Sequence, residues 1–82
     1  MHESGIVEDL IGKLQKISHA NGGGHVLRVG LGLGVDAGFS REHFEEHFRA
    51  AAADTIAEAA ELAICDREGD ALTLETVEVD ET

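Results

Sequence analysis

The first twenty residues carry apolar side chains at helical spacing. Between Glu3 and Asn21 the apolar positions recur three or four residues apart and form one stripe, made of Ile6, Val7, Leu10, Ile11, Leu14 and Ile17. Acidic residues come early in this segment and lysines come later, which is the order that the helix dipole favours. Asn21 and the three glycines after it tolerate a left-handed backbone, so they predict the end of the helix.

A strictly alternating segment follows from His25 to Gly34. One face of the predicted strand is apolar and consists of Leu27, Val29, Leu31 and Leu33. The opposite face consists of Arg28, Gly30, Gly32 and Gly34. Glycines inside a strand often mark a close approach by another backbone. Two explanations stay open here, because either a partner chain packs against the glycines or this face of the sheet is uncovered.

A second helix is predicted to begin after Ser40. Serine is a favoured N-cap residue, and Phe39 and Phe44 have the spacing of a hydrophobic staple across the start of the helix. The helix is expected to run to about Ala53. Its predicted buried stripe consists of Phe44, Phe48, Ala51 and Ala52.

The next segment, residues 54–60, is ambiguous. Its composition favours a continuing helix, whereas the chain must turn back before the next strand. That strand is predicted from Leu62 to Cys65, with Cys65 as a small core residue. Asp66 to Asp70 contains a glycine and is interpreted as a hairpin turn.

The last strand is predicted to run from Leu72 to Val79. Its apolar residues change phase between Leu74 and Val77. An extra residue in one strand of a pair produces such a change, so a β-bulge is predicted near Glu75 and Thr76.

The predicted order is helix, strand, helix, strand, strand within one domain that spans residues 1–82. Two helices with a single apolar stripe and a strand with one apolar face give an α/β two-layer sandwich, with both helices on one face of a mixed three-stranded sheet. The first two strands flank a helix and should therefore be parallel. The predicted hairpin adds the antiparallel strand.

Composition excludes several classes of function. The net charge is -11, with 17 acidic residues and 6 Lys and Arg, which disfavours binding to nucleic acids and to anionic membranes. No segment has the length of a membrane span, and no signal peptide is predicted. The single cysteine, Cys65, excludes an internal disulfide and a thiolate zinc site within one chain. We expect a cytoplasmic protein.

The start Met1-His2-Glu3 offers a chelating arrangement of nitrogens. The α-amine of Met1, the amide and imidazole nitrogens of His2 and the amide of Glu3 can close small rings around one ion. Nitrogen-rich, square-planar geometry suits Ni(II) or Cu(II). The large side chain of His2 should protect Met1 from removal and keep the amine in place. The spacing alone is a weak signal, because any chain that starts Met-His offers it.

Other polar residues give weaker candidates. His43 and His47 lie four residues apart and, with Glu46, match the H-x-x-E-H pattern of inverted zinc peptidases. We reject that function because it requires a cleft and a third ligand from a larger fold. The two histidines are expected to be partly exposed surface residues, or accessory metal ligands. No nucleophile with a neighbouring base can be named, so we do not expect an enzyme.

Five segments of the chain together resemble the HypA family, the nickel-insertion maturation factors of nickel–iron hydrogenase and urease. Met1 to Ile11 resembles the start of the family's sequences, and Arg28 to Gly34 resembles their first strand and the turn after it. Phe39 to Phe48 is similar to its second helix, and Asp54 to Leu62 to the link that follows. Leu72 to Glu78 is similar to its closing strand.

The resemblance implies nickel binding by the Met1 amine, His2 and the Glu3 region, and delivery of nickel together with a HypB-like GTPase to a nickel-enzyme precursor. The family inserts a zinc domain between its last two strands. Here a short turn near residues 66–70 takes that place and a single cysteine is present, so no zinc is expected.

Two further departures concern possible ligands. The family commonly has Glu after the glycine at Gly34, whereas this chain has Val35. Some members have an acidic residue at the position of Ser40, near the amino-terminal metal site. Asp36 is the candidate to substitute for it.

The sequence therefore predicts a nickel-binding metallochaperone that acts in metallocentre assembly, with transiently held nickel. An alternative function is a protein-interaction module without metal, which docks to a partner or forms a homodimer through the glycine-rich face of the sheet.

Overall fold

The computed structural model describes the backbone of residues 3–80 and the side chains of residues 5–80. It confirms the predicted α/β class and element order. The elements are α1 (Glu3–Ala20), β1 (Val26–Gly34), α2 (Arg41–Ala52), β2 (Glu61–Arg67) and β3 (Leu72–Val79). Neither helix combines the length and apolar character needed to cross a membrane, within the residues described.

Helix α1 buries the predicted apolar stripe. Val7, Leu10, Ile11 and Leu14 are buried, while Ile6 and Ile17 at the two ends are half-buried. The helix ends as predicted, because Gly22 and Gly23 have positive φ angles of 97° and 80°. The Gly23 amide donates to the Ser18 carbonyl at 2.8 Å, which satisfies a terminal carbonyl of the helix.

The strand order is β2-β1-β3, so β1 lies in the centre of the sheet. It pairs in parallel with β2, as predicted, and antiparallel with β3. The predicted hairpin between the last two strands is wrong, because β2 and β3 pair with opposite sides of β1 and not with each other. Their connection crosses the end of β1, where the Gly34 amide donates to the Ala71 carbonyl at 2.9 Å.

The alternation predicted for β1 holds over Val29, Leu31 and Leu33 but is wrong at Leu27. Val26 is 1% exposed and Leu27 is 43% exposed. The register against β3 shifts between Val26 and Arg28, so Leu27 is an extra residue in β1. Before the bulge, the side chains that face the core are therefore shifted by one residue. Val26 is buried in the core instead of Leu27.

A second register shift confirms the bulge predicted in the last strand. Gly30 pairs with Thr76 and Leu31 with Leu74, which leaves Glu75 as the extra residue in β3. Neither explanation offered for the glycine face describes it fully, because the chain covers these glycines itself. A Cβ atom on Gly32 would lie 2.8 Å from Cγ of Arg67, and one on Gly34 would meet the backbone of Gly69.

Helix α2 follows the prediction closely. The Ser40 hydroxyl accepts a hydrogen bond from the His43 amide at 3.1 Å, and the rings of Phe39 and Phe44 stack with centroids 6.2 Å apart. Phe44, Phe48 and Ala52 are buried, whereas Ala51 is half-buried.

The helix stops before residues 54–60, which form turns. Asp54 adopts a left-handed φ of 63°, a conformation that ends the helix and resolves the ambiguity in favour of a break. Arg49 donates a hydrogen bond to the Ala60 carbonyl at 2.6 Å, which ties the helix to the residue before β2.

Cys65 is exposed, so its predicted place in the core is wrong. The side chains of Leu62 and Ile64 pack against the core from β2. Because successive residues of a strand face opposite ways, Cys65 falls on the outer face of the sheet.

Candidate metal site at the start of the first helix

The predicted chelating residues Met1 and His2 lie outside the described residues, and Glu3 is described only as the first residue of α1. The first amides of an α-helix have no acceptor within the helix. The Glu3 amide therefore gives up no helical hydrogen bond if it turns toward a metal ion. This geometry is compatible with the predicted chelate.

Asp36 lies on one side of the first turns of α1. It lines a groove together with Ile6, Phe39 and Leu72. Its backbone amide donates to the Gly69 carbonyl at 2.8 Å, which fixes the turn after β1 against the connection between β2 and β3. An accessory role of Asp36 near the amino terminus is consistent with this position.

Asp70 lines the same groove and was not a predicted site residue. The connection between β2 and β3 brings it there because that connection crosses the end of β1. The strand order is the signal that could have found it, and strand order is not readable from local pattern. Asp70 adds a second carboxylate close to Asp36, and both are exposed.

His43 and His47 lie on the outer part of α2. Their ring centroids are 4.9 Å apart and the ring planes are inclined at 72°. His43 is exposed, whereas His47 is half-buried and lines a depression with Val7 and Glu8 of α1. Like Asp36, His47 is therefore a predicted accessory residue that lies beside the first turns of α1.

No three His, Cys, Asp or Glu side chains come close enough to hold one metal ion, in the part of the chain that the structure describes. The described residues around the first turns of α1 therefore do not form a complete set of ligands. Imidazole and nitrogen donors suit nickel, so the donor types fit the predicted ion.

An ion pair between Arg67 and Glu75 lies elsewhere, on the sheet. The Arg67 guanidinium donates two hydrogen bonds to Glu75, which lowers the pKa of that carboxyl from its ordinary value and raises the pKa of Arg67. This pair covers Gly32 on the outer face of the sheet, whereas the helices cover the other face. It stabilises the sheet and does not take part in the candidate site.

The fold is similar to two solved structures. The solution structure of the Ni metallochaperone HypA from Helicobacter pylori matches with a TM-score of 0.83 and 18% identity, over 96% of this chain and 97% of that chain. A second solution structure of HypA protein matches with a TM-score of 0.84 and 18% identity, over 96% of each chain. At this identity the likeness shows the fold alone.

The sequence itself assigns the family. No curated protein sequence matches this chain significantly. The family model described as hydrogenase/urease nickel incorporation, metallochaperone, hypA, matches residues 1–77, which is nearly the whole chain. The element order, the fold and this match agree, and the chain belongs to the HypA family of nickel-incorporation metallochaperones.

Proposed function

We propose that this protein binds Ni(II) as cargo through the Met1 amine, His2 and Glu3, and delivers it for maturation of a nickel–iron hydrogenase or a urease. The observation that carries the proposal is the family match over residues 1–77, which includes these three residues. The family is described by nickel incorporation, so nickel is the metal to test first.

The chemistry of the start explains how the cargo is held and released. An amine, two amide nitrogens and an imidazole bind Ni(II) in a plane, and their chelate rings form without help from the folded core. The Glu3 amide has no helical acceptor, which supports its use as a ligand. Ligands at a chain terminus can leave an ion one after another, and this suits transfer to a partner.

Three described residues are proposed as accessory groups for the same cargo. Asp36 approaches the first turns of α1 from one side and His47 from the other, with His43 one turn away from His47. Ser40 stands where some family members have a carboxylate, so this chain offers a hydroxyl at that position.

We further propose that the chain works as one nickel-binding domain over residues 1–82 without structural zinc. The connection after β2 occupies the place where the family inserts its zinc domain. By resemblance, the partners are a HypB-like GTPase and a nickel-enzyme precursor, and the compartment is the cytoplasm. A docking surface on the zinc domain is then not available to this chain.

Calorimetric titration of untagged protein with Ni(II) tests the proposed function. The intact Met1 amine is first verified by mass spectrometry. We expect one bound ion, and loss of that binding in His2→Ala. His19→Ala is the matched control, because His19 lies in the last turn of α1, about 25 Å along the helix from Glu3. Equal affinity of the wild type and His2→Ala would refute the proposal.

The second candidate is an interaction module that binds no metal. The observation in its favour is that the chain has a single cysteine, Cys65, and so lacks the paired cysteines of the family's zinc domain. Light scattering coupled to size exclusion separates the two functions. A dimer of the same mass with and without Ni(II), together with no heat of nickel binding, would favour the interaction module.

A further inference from the structure

The outer edge of β3 carries backbone groups that no other strand pairs with, within residues 3–80. At one end of β3 the Ala71 carbonyl accepts a hydrogen bond from Gly34, and at the other end the Asp80 amide donates to His25. Successive residues of a strand direct their amide and carbonyl groups to opposite sides. Counted from each end toward the bulge at Glu75, four residues therefore direct these groups away from β1, and they are Leu72, Leu74, Val77 and Val79.

The side chains of the same four residues are only partly covered by α1. All four are half-buried, whereas Val29 and Leu31 of the central strand are fully buried. Two hollows lie between α1 and β3, and we call them together the α1–β3 groove. Its apolar lining consists of the four residues of β3 together with Ile6, Leu10 and Ile17 of α1. Side chains of an added strand would fill this groove and extend the core.

Carboxylates surround the α1–β3 groove and favour a basic partner. Asp9 and Glu78 line its two hollows, and Asp36 and Asp70 line the neighbouring groove at the start of α1. Among the described residues that line these three hollows, Lys13 is the single base. This field attracts Lys and Arg. A second copy of the chain would bring a further net charge of -11 to the same edge, which disfavours the pairing of two copies.

We propose that the outer edge of β3 binds an extended, basic segment of a partner protein as a fourth strand of the sheet. Main-chain hydrogen bonds to the four outward-directed residues provide the affinity, and alternate apolar side chains of the segment enter the α1–β3 groove. Lys or Arg at the intervening positions lies on the outer face of the sheet, where Glu78 is exposed. One end of the docked segment lies beside Asp36 and Asp70, close to the first turns of α1.

A probe peptide tests this proposal on the full-length protein. Because β3 has eight residues, the peptide has about ten, with Val and Ile alternating with Lys and Thr and with both ends blocked. It is added to nitrogen-15-labelled protein in metal-free buffer. We expect saturable binding, with the largest amide shifts in β3. Hydrogen exchange of the four outward-directed amides should slow by about tenfold or more.

Two methylated peptides separate strand addition from non-specific attraction. One is methylated at the backbone nitrogens of its apolar residues and the other at those of its polar residues, so both keep the side chains and the charge of the parent. Only one of these two sets of amides faces β3 in an added strand. One methylated peptide should therefore bind about tenfold or more weakly than the parent, and the other should bind as before.

Glu78→Gln and Glu61→Gln are the matched variants for the charge. Both glutamates are exposed and lie opposite Arg28, Glu78 on β3 and Glu61 on β2. We expect Glu78→Gln to weaken binding of the Lys peptide by about twofold to fivefold and Glu61→Gln to leave it unchanged. A peptide with Glu in place of Lys should bind more weakly than the Lys peptide to the wild type.

Several results would overturn the proposal. The inference is wrong if no peptide binding is detected at about 1 mM, if the amide shifts fall on β2 instead, or if both methylated peptides bind as tightly as the parent. Protection of the four amides in a dimer of the protein alone, seen by light scattering and hydrogen exchange, would assign the edge to a second copy. None of these measurements contains nickel, so the proposed nickel function is judged separately by its own titration.

Discussion

Arg67 and Glu75 form a two-point ion pair across the central strand. Nε of Arg67 lies 2.9 Å from Oε2 of Glu75, and Nη2 lies 2.8 Å from Oε1. The two residues belong to β2 and β3, which do not pair with each other, and their side chains meet above Gly32 of β1. A side chain at Gly32 would occupy the space that the ion pair uses. The glycine is therefore required by an interaction between its two neighbouring strands.

Alanine substitutions at Gly32 and Gly34 should lower the free energy of unfolding by different amounts. In Gly32→Ala the new methyl group meets side-chain atoms of Arg67 and Glu75, which can move, so we expect a loss of about 1–2 kcal/mol in unfolding free energy. In Gly34→Ala it meets the backbone of Gly69 and Ala71, so we expect about 3 kcal/mol or more. Urea unfolding followed by circular dichroism measures both.

The control for these variants is Gly12→Ala. Gly12 lies inside α1 and an added Cβ meets nothing within 4 Å. Alanine is the better helix former, so this variant should gain about 0.5–1 kcal/mol. Equal losses at positions 32 and 34 would contradict the difference between side-chain and backbone contacts.

The Arg67–Glu75 pair should make stability depend on pH in the acid range. The pKa of Glu75 is lower in the folded chain than its ordinary value of 4.5, because the Arg67 guanidinium hydrogen-bonds the ionised form. The folded state thus binds this proton more weakly than the unfolded state. The stabilisation is complete above pH 4.5 and is lost as the pH falls through the lower folded pKa.

Comparison of Glu75→Gln with Glu68→Gln isolates this effect. Both variants remove one negative charge from an acidic protein, but Glu68 is exposed and has no ion pair among the described residues. We expect Glu75→Gln to be the less stable variant at pH 7 and the difference to disappear in strong acid. Thermal unfolding across the pH range measures it, and a constant difference would exclude the ion pair as its cause.

Because of the bulge at Leu27, truncation of the smaller residue Val26 should destabilise the protein more than truncation of the larger residue Leu27. Val26→Ala removes buried methyl groups and should cost about 2 kcal/mol, whereas Leu27→Ala trims a partly exposed side chain and should cost about 0.5 kcal/mol or less. Chemical denaturation of the two variants provides the measurement. A larger loss of unfolding free energy in Leu27→Ala than in Val26→Ala would show that the side chains of β1 alternate without a bulge.

Substitution of Ser40 should separate helix capping from metal binding. Aspartate and asparagine both cap helices well, so Ser40→Asp and Ser40→Asn should keep the stability of α2, while Ser40→Ala should lose about 1 kcal/mol. If the family's acidic residue helps to hold nickel, Ser40→Asp should bind Ni(II) several-fold more tightly than Ser40→Asn. Calorimetry on untagged protein tests this, and equal affinities of the two variants would argue against a role for the carboxylate.

Local pattern predicted the elements well and their arrangement less well. The cap at Ser40, the staple at Phe39 and the bulge at Glu75 all follow from a few neighbouring residues, and the structure confirms them. The false hairpin has a different origin. A short connection between two strands does not show whether the strands pair with each other. In this fold β2 and β3 pair with opposite edges of β1.

The errors at Leu27 and Cys65 have a related cause. Both residues are apolar and occur in apolar runs, so the sequence does not show which of two neighbouring residues faces the core. Leu27 is turned outward by a bulge that is visible only against β3, and Cys65 by the pairing of β2 with β1. Prediction of the site residues was limited in the same way, since Asp70 reaches the groove beside Asp36 only because of the strand order.

The central position of β1 also sets when the protein can fold. Both partners of this strand come later in the chain, and Val26 pairs with Val79 of β3. During synthesis β1 therefore emerges from the ribosome long before either neighbour, with Leu31 and Val29 unable to enter a finished sheet. Folding of the sheet must wait for β3, so its closure is non-local and slow.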